Sequence, residues 1–322
     1  MKKLVFKIGI YTILLLIALE IWVRVFHLAK DTPNRYLDEN KVEKWMPNQN
    51  GYAVTGNRRQ NFSAYHINAF GYNSYREFNP SREGFELALV GDSFIEGFHQ
   101  NYYQSIGKKI ENKIPGIEVY EYGYAGYDMA DQLHLIHQYA DQFKLIDVVV
   151  LGLKYNNDLT RAVYEVEGYR LALESPLNKL LKKSKLLVYG KSIGIFSPIQ
   201  DFIYTTRNLM VNPGPPIKSS ALDISSVETN EEELLKRNIK NLESLMSLYG
   251  FDKEKFYFLI DETVTPTSFI QYLKENKVQF ITIGAELKNS TKNTTLIYDH
   301  HWNNNGREIV AQKIANLLEK KR

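Results

Sequence analysis

Apolar and polar positions follow three regimes along this chain. Ile8 to Phe26 is apolar on every face as far as Glu20. At ~1.5 Å rise per residue this run spans about 28 Å, close to the hydrocarbon thickness of a bilayer. Residues 30–83 are polar, aromatic and rich in Asn, with no sustained period. We read them as a juxtamembrane linker followed by an irregular packing segment. From residue 84 short apolar runs alternate with amphipathic stretches. Residues 85–90 (FELALV), 117–120, 148–153 (VVVLGL), 256–260 and 280–283 predict strands by run length and β-branched or aromatic content. VVVLGL has the unbroken apolarity of a strand buried on both faces of a parallel sheet. Residues 102–114, 129–143, 228–249, 266–276 and 307–320 predict helices. Pro115-Gly116 ends the first, and Thr229 with Glu232 offers a capping box for the third.

Strands alternating with helices predict an α/β domain with a parallel sheet. We expect a flavodoxin-like, three-layer α/β/α domain with strand order 2-1-3-4-5, preceded by one transmembrane helix. The boundaries read as 1–29 for the anchor, 30–83 for the linker and packing segment, and 84–322 for the main domain. Residues 159–227 break the rhythm with Pro, Ser, Gly and basic residues around a helical piece at 177–187, and read as an insert, a lid or acceptor-binding piece.

Lys2, Lys3 and Lys7 precede the apolar run and should stay in the cytoplasm, sending the rest outward. Glu20 and Arg24 stand four apart near the outer end and can pair on one helix face. A cleaved signal peptide would share much of this pattern, but no convincing small-x-small cleavage site follows the run. The expectation is a single-pass protein of the cytoplasmic (inner) membrane with its main domain extracytoplasmic or periplasmic.

Composition narrows the chemistry. With 44% hydrophobic and 24% charged residues, the chain is core-forming rather than disordered. A formal net charge of +3 argues against a dedicated nucleic-acid binder. There is no cysteine, which excludes disulfides, thiolate metal sites and a Cys nucleophile. No cofactor is expected.

Gly91-Asp92-Ser93 follows the first strand of the sheet directly. A Ser on a tight strand-to-helix turn exposes its Oγ at the carboxyl edge, beside the positive end of the next helix. Glu121 to Gly126 follow the second strand, Asn157-Asp158 the third, and Asp299-His300-His301-Trp302-Asn303 the fifth. All four segments therefore fall on the edge where open α/β sheets bind ligands. In the expected strand order, Gly126 and Asn157 approach Ser93 from its two sides, as converging oxyanion donors would.

GDSFIEG (91–97), the glycine block ending at Gly126, NND (156–158) and DHHWNNNG (299–306) together resemble the SGNH hydrolase superfamily, the GDSL esterases and lipases, over roughly residues 85–320. The resemblance implies Ser93 as nucleophile, His301 as general base and Asp299 as its orienting carboxylate. It implies the Ser93 N–H, the Gly126 N–H and the Asn157 side chain as oxyanion donors. Three positions depart from the common pattern. Glu121 stands where many members have Asn, Tyr155 where many have Gly, and D-x-H-W replaces D-x-x-H. The last form is similar to membrane-anchored envelope O-acyltransferases and esterases carrying D-x-H-W-N.

The expected function is thus a membrane-anchored serine esterase or O-acyltransferase. Its substrates would be acyl esters, acetyl foremost, of cell-envelope glycans. A catalytically silent anchored scaffold that binds glycan or a protein partner is the alternative. His300 could replace His301 as base, but neighbours on an extended segment point oppositely. Asp92 and Asp158 are read as loop-orienting groups, and Trp302 as pocket lining or packing. His134 and His137, three apart on a helix, read as polar-face residues rather than metal ligands. Asn68, Gly71 and Arg76 read as a turn at the sheet edge. The basic amphipathic stretch 179–185 (KLLKKSK) reads as a solvated face that could also touch anionic headgroups.

Overall fold

The computed structural model describes residues 1–56, 59–196 and 231–321. Helix α1 (Lys2–Val25) is long and apolar enough to cross a membrane, and its apolar window is unburied by the rest of the chain. The central sheet holds β5 (Phe85–Gly91), β6 (Ile117–Gly123), β7 (Val148–Gly152), β8 (Phe256–Ile260) and β9 (Gln279–Thr282). All pairs are parallel, in the order β6-β5-β7-β8-β9. That is the expected 2-1-3-4-5 arrangement.

Side-chain alternation sends Leu87 and Leu89 to one face of β5 and Ala88 and Val90 to the other. The first face packs on Ile106 and Ile110 of α3 (Ile106–Lys113). It also packs on a stripe of Val310, Ala311, Ile314, Ala315 and Leu318 along the last helix (Asn304–Lys321). The second face packs on Leu133 and Ile136 of α4 (Met129–Gln138), and on helices Glu231–Tyr249 and Thr267–Glu275. Burying each such aliphatic side chain stabilises the fold by about 1.5–3 kcal/mol, so the two faces together hold the sheet rigid beneath its carboxyl edge.

Three expected helices are broken, two of them where a serine hydroxyl caps a new start. Residues 102–114 form a 3-10 turn (Tyr102–Gln104) and then α3, because the Ser105 hydroxyl accepts the Lys108 N–H and restarts the helix. The stretch 129–143 splits at Tyr139 into α4 and α5 (Ala140–Phe143). The 177–187 piece becomes α7 (Pro176–Lys183) and α8 (Lys185–Ser192), because Ser184 caps the second. A further short helix, α6 (Gly168–Ala172), precedes them. Thr229 of the expected capping box, and residues 197–227 of the insert, lie outside the described residues.

Residues 30–83 are more ordered than their composition predicts. They form two antiparallel pairs, β1 (Arg35–Leu37) with β2 (Glu43–Trp45) and β3 (Asn50–Thr55) with β4 (Asn61–His66). Trp45, Tyr65, Ile67 and Tyr72 join the core beside α4. Asn68 ties the following turn, its Oδ1 accepting the Phe70 and Tyr72 N–H groups and its Nδ2 donating to the Arg76 carbonyl. The Gly71 carbonyl accepts the Trp45 N–H at 3.2 Å, which seats that indole against the main domain.

Candidate active site

The turn after β5 carries the first candidate residue. Asp92 accepts the Phe94 N–H at 2.9 Å and opens α2 (Ser93–Glu96), which Gly97 ends in a left-handed conformation. With only four residues, α2 supplies little of the helix dipole anticipated at Ser93, since few peptide units align. What the turn supplies is position. Ser93 Oγ lies 2.7 Å from His301 Nε2.

His301 Nδ1 is hydrogen-bonded to Asp299 Oδ1, and the His301 backbone N–H donates to the same oxygen at 3.2 Å. Burial raises the Asp299 carboxyl, but hydrogen bonds from His301 and the charge of that ring outweigh it, so Asp299 ionises below the usual Asp range. An ionised carboxylate on Nδ1 fixes the tautomer whose Nε2 lone pair faces the serine. His300 is exposed, and its side chain makes no hydrogen bond among the described residues. Of the two adjacent histidines, His301 is the one placed against Ser93 and Asp299.

The loops that carry Gly126 and Asn157 are stitched to this turn. The Tyr124 N–H donates to the Gly91 carbonyl at 3.0 Å, which ties the loop leading to Gly126 to the end of β5. Gly126 has φ +94, a backbone shape glycine adopts without strain, and its N–H is taken by no other group among the described residues. On the other side, Lys154 Nζ pairs with Asp92 Oδ2 at 2.5 Å, linking the loop after β7 to the serine turn. Within that loop Asp158 Oδ2 accepts the Lys154 N–H at 2.7 Å, and the Asp158 carbonyl accepts the Met129 N–H at 3.0 Å. Burial raises the Asp158 carboxyl to about 8. Through these bonds Asp92 and Asp158 each tie a loop in place. Asn157 sits exposed at the tip, with a side chain unbonded among the described residues and free to donate.

The departures from the common pattern have local explanations. Glu121 is buried, with its Oε1 accepting the Gly107 N–H at 2.9 Å, so it braces the start of α3 rather than entering the site. Tyr155 is buried against Phe269 at 5.0 Å between ring centres. Trp302 meets Phe94 edge-on at 4.7 Å and lines a cavity.

That cavity measures about 260 Å³. Its walls come from Asp92 and Phe94, which flank the serine, from the loop 153–158, and from Leu259, Val264, Ile283 and Trp302. It opens between the carboxyl ends of β5, β7 and β8 and is mostly apolar.

Two residues of the site carry no signal in the sequence. His99 stacks on His301 with ring centres 4.1 Å apart, and its Nε2 lies 3.1 Å from Asp299 Oδ2. Burial, then the neighbouring His301 charge, lowers its pKa to about 4, so at neutral pH it is an uncharged ring whose N–H donates to the carboxylate. Glu96 is buried and accepts the Ala125 N–H at 3.1 Å and the Trp45 indole N–H at 2.7 Å, both on Oε1. It therefore ties the residue before Gly126 to the N-terminal segment. Burial raises Glu96 to about 7, against the lowering effect of those two donors.

His99, Asp299 and His301 are close enough together to grip a metal ion. Two of their ligand atoms are already engaged in the Ser93–His301–Asp299 chain, so the arrangement serves a hydrogen-bond relay better. His134 and His137 are each spent on a backbone carbonyl, of Asn40 and Tyr249 respectively, both at 3.1 Å.

No family model matches the chain. No curated protein matches either. Several solved structures do. One is a member of the lipolytic protein G-D-S-L family from Veillonella parvula, at 13% identity and TM-score 0.37, over 73% of this chain and 99% of that one. Another is the lipase/acylhydrolase from Enterococcus faecalis, at 11% identity and TM-score 0.41, over 74% and 96%. A third is the psychrotrophic esterase EstA from a Pseudoalteromonas species, at 10% identity and TM-score 0.40, over 73% and 97%. At such low identity and TM-score these likenesses carry no functional weight, and the reading below stands on the site's own geometry.

Proposed function

We propose that this chain is a membrane-anchored serine esterase or O-acyltransferase of the SGNH type. The observation that carries the reading is the continuous relay from Ser93 Oγ through the His301 ring to Asp299. In the first half-reaction Ser93 Oγ bonds to the ester carbonyl carbon as its proton passes to His301 Nε2. Asp299 stabilises the imidazolium that forms. The carbonyl oxygen becomes an oxyanion that the Ser93 and Gly126 N–H groups and the Asn157 amide can meet. The carbon–oxygen bond to the leaving alcohol breaks, His301 returns the proton to it, and an acyl-serine remains. In the second half, water or an acceptor hydroxyl gives its proton to His301 and attacks the acyl carbon. Ser93 leaves and recovers the proton.

The cavity bears on the acyl group. A cavity of about 260 Å³ beside the serine turn exceeds the roughly 150 Å³ that encloses benzene, so it has room for acetyl and for longer chains; the preference for acetyl rests on the likeness of the D-x-H-W-N block to envelope O-acyltransferases. Anchoring is supported by the docking of α1. Its Glu20 accepts the Lys185 and Leu186 N–H groups at 2.9 and 2.7 Å, and its Val23 is buried. A cleaved signal peptide would have no reason to be built into the domain in this way.

The test is mass spectrometry of Ser93 after brief incubation with envelope extract and with a panel of acetyl to octanoyl esters. The reading expects an acyl adduct on Ser93 with short chains favoured. Turnover of none of them, with no adduct, leaves the silent scaffold standing instead. Adding oligosaccharide acceptors then separates transfer from hydrolysis.

A further inference from the structure

We propose that the α7–α8 hairpin is a second membrane contact, an interfacial seat whose occupant is the outer leaflet of an anionic bilayer. The inference rests on the reading of α1 as a membrane anchor and goes beyond it, because an anchor alone would be a flexible tether.

The first observation is a clasp. Glu20 accepts three hydrogen bonds from the α7–α8 junction: the Ser184 hydroxyl at 3.1 Å and the Lys185 and Leu186 N–H groups. Arg24 donates to Glu20 and, at 2.5 Å, to the Lys183 carbonyl. Lys185 pairs with Asp31 just beyond α1. The outer third of α1 is thereby fixed to the hairpin.

The second is depth. Glu20 lies six residues inside Phe26, the outer end of the apolar run. At ~1.5 Å per residue that is about 9 Å, within the roughly 5–10 Å to which interfacial helices sink their apolar face. A hairpin held at that level by a spanning helix lies among lipid, not water.

The third is the character of the surface there. On α7, Leu177, Leu180 and Leu181 share one face and are 64%, 63% and 45% exposed, while Lys179, Lys182 and Lys183 take the opposite face. Leu180, Leu181 and Leu187 continue into Ile13, Leu16, Ile17 and Ile21 of α1 along one apolar cleft of about 730 Å³. Lipid chains fill such a cleft without leaving a void. Lys179 and Lys182 are engaged with Glu174. Lys183 and Lys191 are exposed and pair with nothing among the described residues, so they are available to anionic headgroups.

Because the chain has no cysteine, a single introduced one is a unique label site. Full-length Leu180→Cys, Ile13→Cys and Lys292→Cys proteins would each carry an environment-sensitive fluorophore. They would be reconstituted in phosphatidylglycerol-containing vesicles with nitroxide on the lipid acyl chains. The proposal expects the Leu180 and Ile13 labels both to lose fluorescence and the Lys292 label to lose almost none. It also expects Lys183→Gln with Lys191→Gln to reduce quenching at Leu180 in anionic but not in zwitterionic vesicles. Quenching at Ile13 with none at Leu180 overturns the hairpin proposal and leaves the anchor standing, and a Leu180 label shielded from water yet unquenched points to a protein occupant and overturns it too. Loss of quenching at both positions removes the anchor reading and this proposal with it.

Discussion

Glu96→Ala is the substitution that tests how the oxyanion loop is held. Glu96 Oε1 is the shared acceptor for Ala125 N–H at 3.1 Å and the Trp45 indole at 2.7 Å, and the side chain is buried. Removing the carboxyl strands two buried donors, at about 1–3 kcal/mol each, so the variant should lose about 2–6 kcal/mol of local stability. That is enough to let the loop around Gly126 reorganise. Losing one aligned oxyanion donor costs about 10²–10³ in kcat. Steady-state hydrolysis of p-nitrophenyl acetate, read beside a thermal melt, should show kcat falling by about that factor with a smaller change in KM. Glu96→Gln keeps an acceptor oxygen and should restore most of kcat. Trp45→Phe removes one donor together with its need for a partner, and should cost less than Glu96→Ala. A folded Glu96→Ala protein with native kcat would refute the reasoning, and so would a Gln variant as impaired as the Ala variant.

Other outcomes follow from the same geometry. Asn157→Ala should keep a trace of activity, about 10²–10³ below native, whereas His300→Gln should leave kcat/KM unchanged; both are read by the same ester assay. His99→Ala removes one hydrogen bond to the Asp299 carboxylate and should slow kcat about tenfold, the lower end for a bond to a charged group; an unchanged pH–rate profile and kcat would count against that role. Stability should fall as pH rises from 5 to 8, measured as the melting temperature. Glu96 and Glu121, raised to about 7, and Asp158, raised to about 8, bind protons more tightly folded than unfolded. Their stabilisation is complete below the ordinary carboxyl range and lost through the folded values. A melting temperature that climbs steadily to pH 8 would contradict this.

Much of the sheet was legible because its strands are buried on both faces. FELALV has the run length of a strand and VVVLGL the unbroken apolarity of a buried one, and the candidate residues sit just after such runs, which placed them on one edge. The hairpins of 30–83 were not legible. Strands such as Asn50–Thr55 are short and half-exposed, and their partners are chosen by tertiary contact rather than by an apolar period. Helix breaks at Ser105 and Ser184 depend on a single hydroxyl capping a new start, which a periodicity average smooths over. Ser93, Asp299 and His301 were singled out through the resemblance of the GDSFIEG and DHHWNNNG blocks to the SGNH hydrolases. His99 was not, since its ring reaches Asp299 only by way of the left-handed turn at Gly97. Glu96 escaped notice because its decisive partner, Trp45, lies 51 residues upstream.

Covalent capture by a fluorophosphonate probe tests the nucleophile most directly. Phosphonylation needs an activated hydroxyl, so the folded, full-length protein should take up one probe, mapped by peptide mass spectrometry to Ser93, with Ser93→Ala unlabelled and His301→Ala labelled far more slowly. A well-folded protein that stays unmodified, or that carries the probe on some other side chain, would contradict the assignment of Ser93.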